Sequence, residues 1–126
     1  MVASMSTVTV DSEDAGNLAT FWAAVLDWEV GPGATAEFAA IGGARRPRDS
    51  PSLMFVRVPE AKAGRNRWHL DLSVEDLEGE VERLVGLGAR LLHRKSEDGA
   101  TWVTLGDPEG NEFCVAAPHE LTSEIE

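Results

Sequence analysis

The sequence has a single cysteine, Cys114, and half as many basic as acidic residues, 11 against 22. One cysteine excludes a disulfide within the chain, which favours a reducing compartment such as the cytoplasm. The net charge of −11 argues against partners that need clustered positive charge, namely nucleic acids and anionic membranes. Long apolar runs are also lacking, so we expect no signal peptide or membrane span. These absences predict a cytoplasmic protein.

Motifs for phosphate binding and for nucleophilic catalysis are missing as well. The chain contains no Walker or dinucleotide-binding fingerprint. No Ser-His-Asp or Cys-His arrangement follows from residue spacing alone. What remains is 126 residues with an ordinary hydrophobic content of 43%, which suits one compact domain, residues 1–126.

The pattern of predicted elements occurs twice. An alternating strand near Thr7 leads into a helix over Ala15–Leu26, and a second strand near His69 leads into a helix capped by Asp76 and ended by Gly88. Three short strands follow each helix. Two βαβββ modules of about 60 residues would be poor cores alone but could share one. We therefore predict an α+β fold with modules at about 6–59 and 66–117, whose curved sheets surround a cleft.

The two modules can be aligned at their first and last strands. Thr7 aligns with His69, 62 residues later, and Phe55 aligns with Cys114, 59 residues later. Loops of unequal length would account for the difference between the two offsets.

Four segments carry a resemblance to a known family. They are Leu18–Val30, His69–Leu77, Leu87-Gly88-Ala89 and Asp107-Pro108-Glu109-Gly110-Asn111-Glu112-Phe113. On these segments the chain resembles the glyoxalase/bleomycin-resistance proteins of the vicinal oxygen chelate superfamily, from Thr7 to Ala117. Asp27 departs from the pattern, since the family usually has glycine after this helix. The resemblance implies paired βαβββ modules, a cleft, a homodimer and often a divalent metal.

The family's metal positions fall on Thr7, Phe55, His69 and Cys114. Only His69 is a good ligand in this set, and Cys114 would be a second only as a thiolate. We therefore predict no cofactor and a glyoxalase-like protein without an intact metal site. If an ion is bound, we expect His69, Cys114 and Glu112 to hold it.

Strand alternation gives a separate prediction of which side chains face the cleft. The catalytic residues stay unknown, with His69 as the best candidate; its other interpretation is a histidine hydrogen-bonded to Asp71, Glu112 or a Thr hydroxyl. Cys114 is either a small buried filler or a reactive group. The predicted ligand-binding residues are Thr7, Phe55, Arg57, His69, Asp71, Trp102, Glu112 and Cys114.

Seven of the eleven basic residues lie between Arg45 and Arg67. They form either two solvated loops or a positive rim that attracts anionic ligands. Aromatic cleft walls would suit planar ligands, so the predicted partner is an aromatic or anionic small molecule.

Three functions fit these observations. The first is small-molecule binding, with or without metal-independent catalysis, as in a drug- or metabolite-sequestering protein. The second is a metal-dependent lyase, isomerase or dioxygenase that uses His69. The third is a structural or interaction domain whose cleft is filled by side chains. The sequence favours the first and leaves enzymatic activity open.

Overall fold

A computed structural model describes residues 5–60 and 69–117 of the chain. The chain divides into two compact units, Met1–Ala63 and Gly64–Glu126. The first unit contains β1 (Thr7–Ser12), α1 (Ala15–Leu26), β2 (Glu29–Val30), β3 (Phe38–Gly42) and β4 (Ser52–Arg57). The second contains β5 (Leu70–Ser73), α2 (Leu77–Leu87), β6 (Arg90–Glu97), β7 (Ala100–Gly106) and β8 (Glu112–Ala116).

The two units have the same strand order. The first sheet runs β1-β4-β3-β2 and the second runs β5-β8-β7-β6. In each sheet the first and last strands of the unit pair in parallel, and the remaining pairs are antiparallel. The predicted α+β fold of two βαβββ modules is confirmed. Within the described residues, neither helix is long and apolar enough to span a membrane.

Helix α1 begins and ends at the predicted residues. The Asp14 side chain accepts a hydrogen bond from the Asn17 backbone N–H at 3.0 Å, which caps the N-terminus. Asp27 ends the helix in the left-handed conformation, with φ of 57°, and its N–H bonds to the Ala23 carbonyl. Asp27 therefore adopts the backbone conformation that glycine usually supplies at this position.

Helix α2 is capped in the same way. Asp76 accepts from the Gly79 backbone N–H at 3.1 Å, and Gly88 ends the helix with φ of 118°. Val81 and Leu84 are buried, whereas Val85 is 44% exposed, so fewer residues of α2 are buried than its apolar side chains would suggest.

Each unit buries one face of its sheet. In the first unit α1 contacts β1, β3 and β4, and in the second unit α2 contacts β6 and β8. The core residues of the first unit include Val10, Leu18, Trp22, Ile41 and Phe55, and those of the second include Val81, Leu84, Val103, Leu105, Phe113 and Val115. The opposite face of each sheet carries the more polar side chains of β1 and β5, as alternation predicts.

The predicted orientation of the β4 side chains is wrong. Phe55 pairs with Val10, is 0% exposed and lies on the helix-covered face, as does Leu53 opposite Val8. Paired residues on neighbouring strands share a face, so Met54 takes the position across from Thr9 that we assigned to Phe55.

The cause is a shift of one residue in the alignment of the modules. In the second unit Cys114 pairs with Asp71, and in the first unit Met54 pairs with Thr9. Cys114 therefore corresponds to Met54, 60 residues earlier, instead of Phe55. A slip of one residue turns every side chain of a strand to the other face.

Candidate functional site

The second unit concentrates chemically reactive side chains on the face of its sheet opposite α2, which we call the polar face. Strand β8 lies between β5 and β7, and Cys114 pairs with Asp71 on one side and with Thr104 on the other. Two residues further along β8, Ala116 pairs with Ser73 and Trp102. The register of three strands thus sets these side chains side by side.

A pocket of about 240 Å³ lies on this face. Asp71, Leu72, Trp102, Cys114 and Ala116 line it. Its walls are mainly apolar, with one indole ring, one thiol and one carboxylate. Sites for small molecules commonly combine apolar walls with a few polar groups that fix orientation.

His69, Asp71 and Cys114 form a cluster of potential ligands beside the pocket. One ring nitrogen of His69, one carboxylate oxygen of Asp71 and Sγ of Cys114 lie within 4.8 Å of one another. The Nε2 atom of His69 is 3.5 Å from Oδ1 of Asp71, and the two side chains are 42% and 82% exposed. All three donors come from β5, the residue before it, and β8, so this cluster belongs wholly to the second unit.

Cys114 is the least exposed member of the cluster. Its Sγ is 3.3 Å from Oγ1 of Thr104, which is itself buried. Either atom can donate in this contact, which fixes the position of the sulfur beside β7. Cys114 is half-buried, lines the pocket and contributes its Sγ to the cluster, so its two interpretations, a small filler and a reactive group, both stay predictions.

The turn between β7 and β8 fixes where Cys114 lies. Asp107 is buried, and its Oδ1 accepts hydrogen bonds from the backbone N–H groups of Glu109 and Asn111 at 2.9 and 3.0 Å. Gly110 takes φ of 86°, which favours glycine. The Asp-Pro-Glu-Gly-Asn segment is therefore a structural turn that sets the register of β8.

The structure brings four of the predicted site residues together and places the others elsewhere. His69, Asp71, Trp102 and Cys114 share the polar face of the second unit. Glu112 is on that face but opposite Gly106, and it is not part of the ligand cluster formed by the described residues. The cluster thus contains His69 and Cys114 together with Asp71, and the predicted metal set of His69, Cys114 and Glu112 stays a prediction.

The predicted site residues of the first unit have other surroundings. Thr7 is exposed, with its Oγ1 3.0 Å from the Ser52 hydroxyl. Arg57 is on the same face of β4 as Phe55, opposite Ser12, and donates to Glu37 at 3.0 Å. The predicted inward orientations of Phe55 and Arg57 are wrong, because both follow from the shifted alignment.

The family's four metal positions can now be tested on the corrected register. The positions from the first unit are Thr7 and Met54, and neither side chain is a suitable ligand for a divalent ion at a catalytic site. The positions that the resemblance implies in the second unit, His69 and Cys114, have side chains of types that bind metals.

Sequence reasoning missed Leu72, Thr104 and Ala116. Ala116 could have been found, since it is two residues beyond Cys114 and alternation puts it on the same face. The position of Thr104 beside Cys114 depends on the pairing of β7 with β8, which no local sequence pattern specifies.

The repeated βαβββ units and the polar face of the second sheet define the class, a glyoxalase-like α+β protein. A family model described as "Glyoxalase-like domain" matches residues 7–116. The chain belongs to this family.

Solved structures show the same fold at low sequence identity. A glyoxalase/bleomycin resistance protein/dioxygenase family enzyme from Burkholderia phytofirmans matches with a TM-score of 0.72 and 17% identity, over 91% of this chain and 98% of that chain. The fosfomycin resistance protein FosX from Mesorhizobium loti matches with a TM-score of 0.71 and 15% identity, over the whole of both chains. Lactoylglutathione lyase from Agrobacterium tumefaciens matches with a TM-score of 0.62 and 14% identity, over 93% and 95%. No curated protein matches the sequence significantly.

Proposed function

We propose that the protein binds a small planar molecule in the pocket on the polar face of the second unit. The observation that carries this proposal is one cavity of about 240 Å³ whose lining combines Trp102 and Ala116 with the Asp71 carboxylate. A planar ring can stack on or pack against an indole, and a carboxylate can accept a hydrogen bond from the bound molecule.

The charge of the pocket defines the class of ligand more closely. Among the residues that the structure describes, Asp71 is the only charged one that lines it, and the protein has a net charge of −11. In the absence of a bound cation, a neutral or cationic aromatic molecule is preferred over an anion. The hypothesis of an anionic ligand drawn in by basic residues has less support, because Arg57 and Arg45 are engaged by Glu37 and Asp27.

A matched pair of probes tests this preference by thermal shift in the presence of EDTA. Tryptamine and indole-3-acetate share the indole ring and carry opposite charges. Tryptamine should raise the melting temperature at lower concentration, since a ligand that binds the native state stabilises it. The difference in affinity should be modest, about fivefold, because the Asp71 side chain is largely exposed.

Two substitutions distinguish a contact made by Asp71 in the pocket from an effect of the protein's overall charge. Asp71→Asn should remove the preference for tryptamine, whereas Glu82→Gln, an equal charge change on the exposed side of α2, should preserve it. Stabilisation by neither indole nor its charged derivatives would contradict the proposal. That outcome would favour a structural or interaction domain.

A further inference from the structure

We infer that Lys95 extends the pocket of the polar face into a site with two opposite charges, which selects an elongated aromatic molecule that is cationic at one end and anionic at the other. Asp71 supplies the negative end of this site and Lys95 the positive end. The inference rests on the proposed function, since it assigns the class of molecule that the same pocket binds.

The register of β6 places Lys95 beside the pocket. Lys95 pairs with Trp102 on β7, and Trp102 in turn pairs with Ala116 on β8, so the three residues form one row across the sheet. Trp102 and Ala116 both line the pocket. Side chains of directly paired residues project to the same face of a sheet and have Cβ atoms about 4.5–5.5 Å apart. Lys95 therefore borders the pocket on its β6 side.

The residue before Lys95 supports this orientation. Arg94 pairs with the buried Val103 and donates a hydrogen bond to Glu78 of α2 at 2.7 Å, so Arg94 projects to the helix-covered face. The irregularity of β6 lies earlier in the strand and does not disturb the alternation here. Because successive residues of a strand project to opposite faces, Lys95 belongs to the polar face.

The ammonium group of Lys95 is available to a bound molecule. All of β6 is exposed, and within residues 5–60 and 69–117 no carboxylate forms an ion pair with Lys95. By contrast, Arg45, Arg57 and Arg94 are each paired with an acidic residue. In a protein with a net charge of −11, this lysine is therefore a local positive group that can attract an anionic substituent.

The separation of the two charges defines the shape of the ligand. Asp71 is on β5 and Lys95 is on β6, which are the two edges of the sheet. Adjacent strands are about 4.8 Å apart, so the backbones of these two residues lie about 14 Å apart across the sheet. A molecule that contacts both must carry its charged groups at opposite ends of a rigid framework. An amino acid, which carries both charges on one carbon, is too short.

Two rigid biphenyls test the inference by calorimetry on the full-length protein in EDTA. The first carries one para aminomethyl group and is a cation. The second carries in addition a carboxylate at the opposite para position. The second should bind wild-type protein about fivefold more tightly, which is the gain expected of one exposed ion pair. Tryptophan should show no such gain over tryptamine.

Substitutions of β6 assign the gain to one side chain. Lys95→Met should bring the affinities of the two biphenyls together, and Lys95→Arg should keep them apart. The matched control is Arg94→Met, which removes the same charge from the neighbouring residue on the other face and should preserve the gain. Circular dichroism and melting temperature establish that each variant is folded.

The inference is overturned if the carboxylate adds no affinity in the wild type, if folded Lys95→Met keeps the gain, or if Arg94→Met loses it to the same extent. Failure of the proposed function has a different result, in which neither biphenyl and neither indole probe binds. Binding of the cationic biphenyl without any gain from its carboxylate overturns this inference alone.

Discussion

At the scale of single residues, Phe55 shows how the orientation of one side chain decides between a role in ligand binding and a role in the core. Its side chain is fully buried and pairs with Val10 beneath α1, while Met54 on the opposite face is half-buried. Phe55 is therefore a core residue, and its removal should affect stability more than ligand binding.

Phe55→Ala should lower the free energy of unfolding by about 3–5 kcal/mol, because it leaves a cavity in a packed core. Urea denaturation measures the change. Met54→Ala is the control on the other face and should cost clearly less. The corrected register would be contradicted if Met54→Ala proved the more damaging substitution.

Asp107 is a second residue whose role is structural. Its carboxylate accepts two backbone N–H groups in the turn before β8, and it is buried. Asp107→Ala should destabilise the protein by about 1–3 kcal/mol, because buried donors lose their acceptor. Asp107→Asn keeps a carbonyl oxygen at that position and should recover part of the loss. Equal stability of the Ala variant and the wild type in chemical denaturation would exclude this role.

At the scale of elements, α2 contains an ion pair that makes its stability depend on pH. Arg83 donates two hydrogen bonds to the Glu80 carboxylate, at 2.9 and 2.5 Å, and these bonds lower the pKa of Glu80 below its ordinary value. A lowered pKa in the folded state means that the stabilisation is present at neutral pH and is lost as the pH falls through that lowered pKa.

Glu80→Gln should therefore reduce the free energy of unfolding at pH 7 by about 0.5 kcal/mol. The difference from wild type should disappear in acid, once the native carboxyl is protonated. Thermal unfolding of both proteins across the acidic range measures this. Glu82→Gln, at an exposed position of the same helix, is the control; a difference between Glu80→Gln and wild type that grew in acid would contradict the account.

The elements also show which features of the fold could be predicted from sequence. The bounds of helix α1 could be predicted because Asp14 is a typical N-cap residue and the apolar stripe after it runs to Leu26. The face of β4 could not be predicted, since Leu53, Met54, Phe55 and Val56 are all apolar and alternation gives no contrast. Pairing with β1 decides it, and pairing is a long-range property.

The same contrast applies to the candidate site. Apolar residues separate His69 from Asp71 and flank Cys114 on β8, so the common face of these three residues could be predicted. The direct pairing of Asp71 with Cys114 was not, because it depends on the register between strands far apart in sequence. That register places Asp71 in the ligand cluster, of which Glu112 is not a member among the described residues.

At the scale of the whole molecule, the dimer implied by family resemblance remains a prediction. Large apolar side chains are exposed in both units: Val30, Phe38, Val85, Leu87, Leu91 and Leu92. Such surface is commonly covered in an assembly. Light scattering at micromolar concentration should give twice the chain mass of 13.6 kDa, and a monomer mass would argue against the dimer.

Leu92→Lys should shift a dimer towards monomer, whereas Glu97→Lys on the same strand should not.

The most direct test of the polar face as the functional site is an amide ¹H–¹⁵N titration of the metal-free protein with tryptamine. The account predicts that the largest chemical-shift changes cluster at Asp71, Trp102, Cys114 and Ala116, with little change in the basic loop near Arg45. Changes centred on that loop, or scattered without a cluster on β5, β7 and β8, would contradict it.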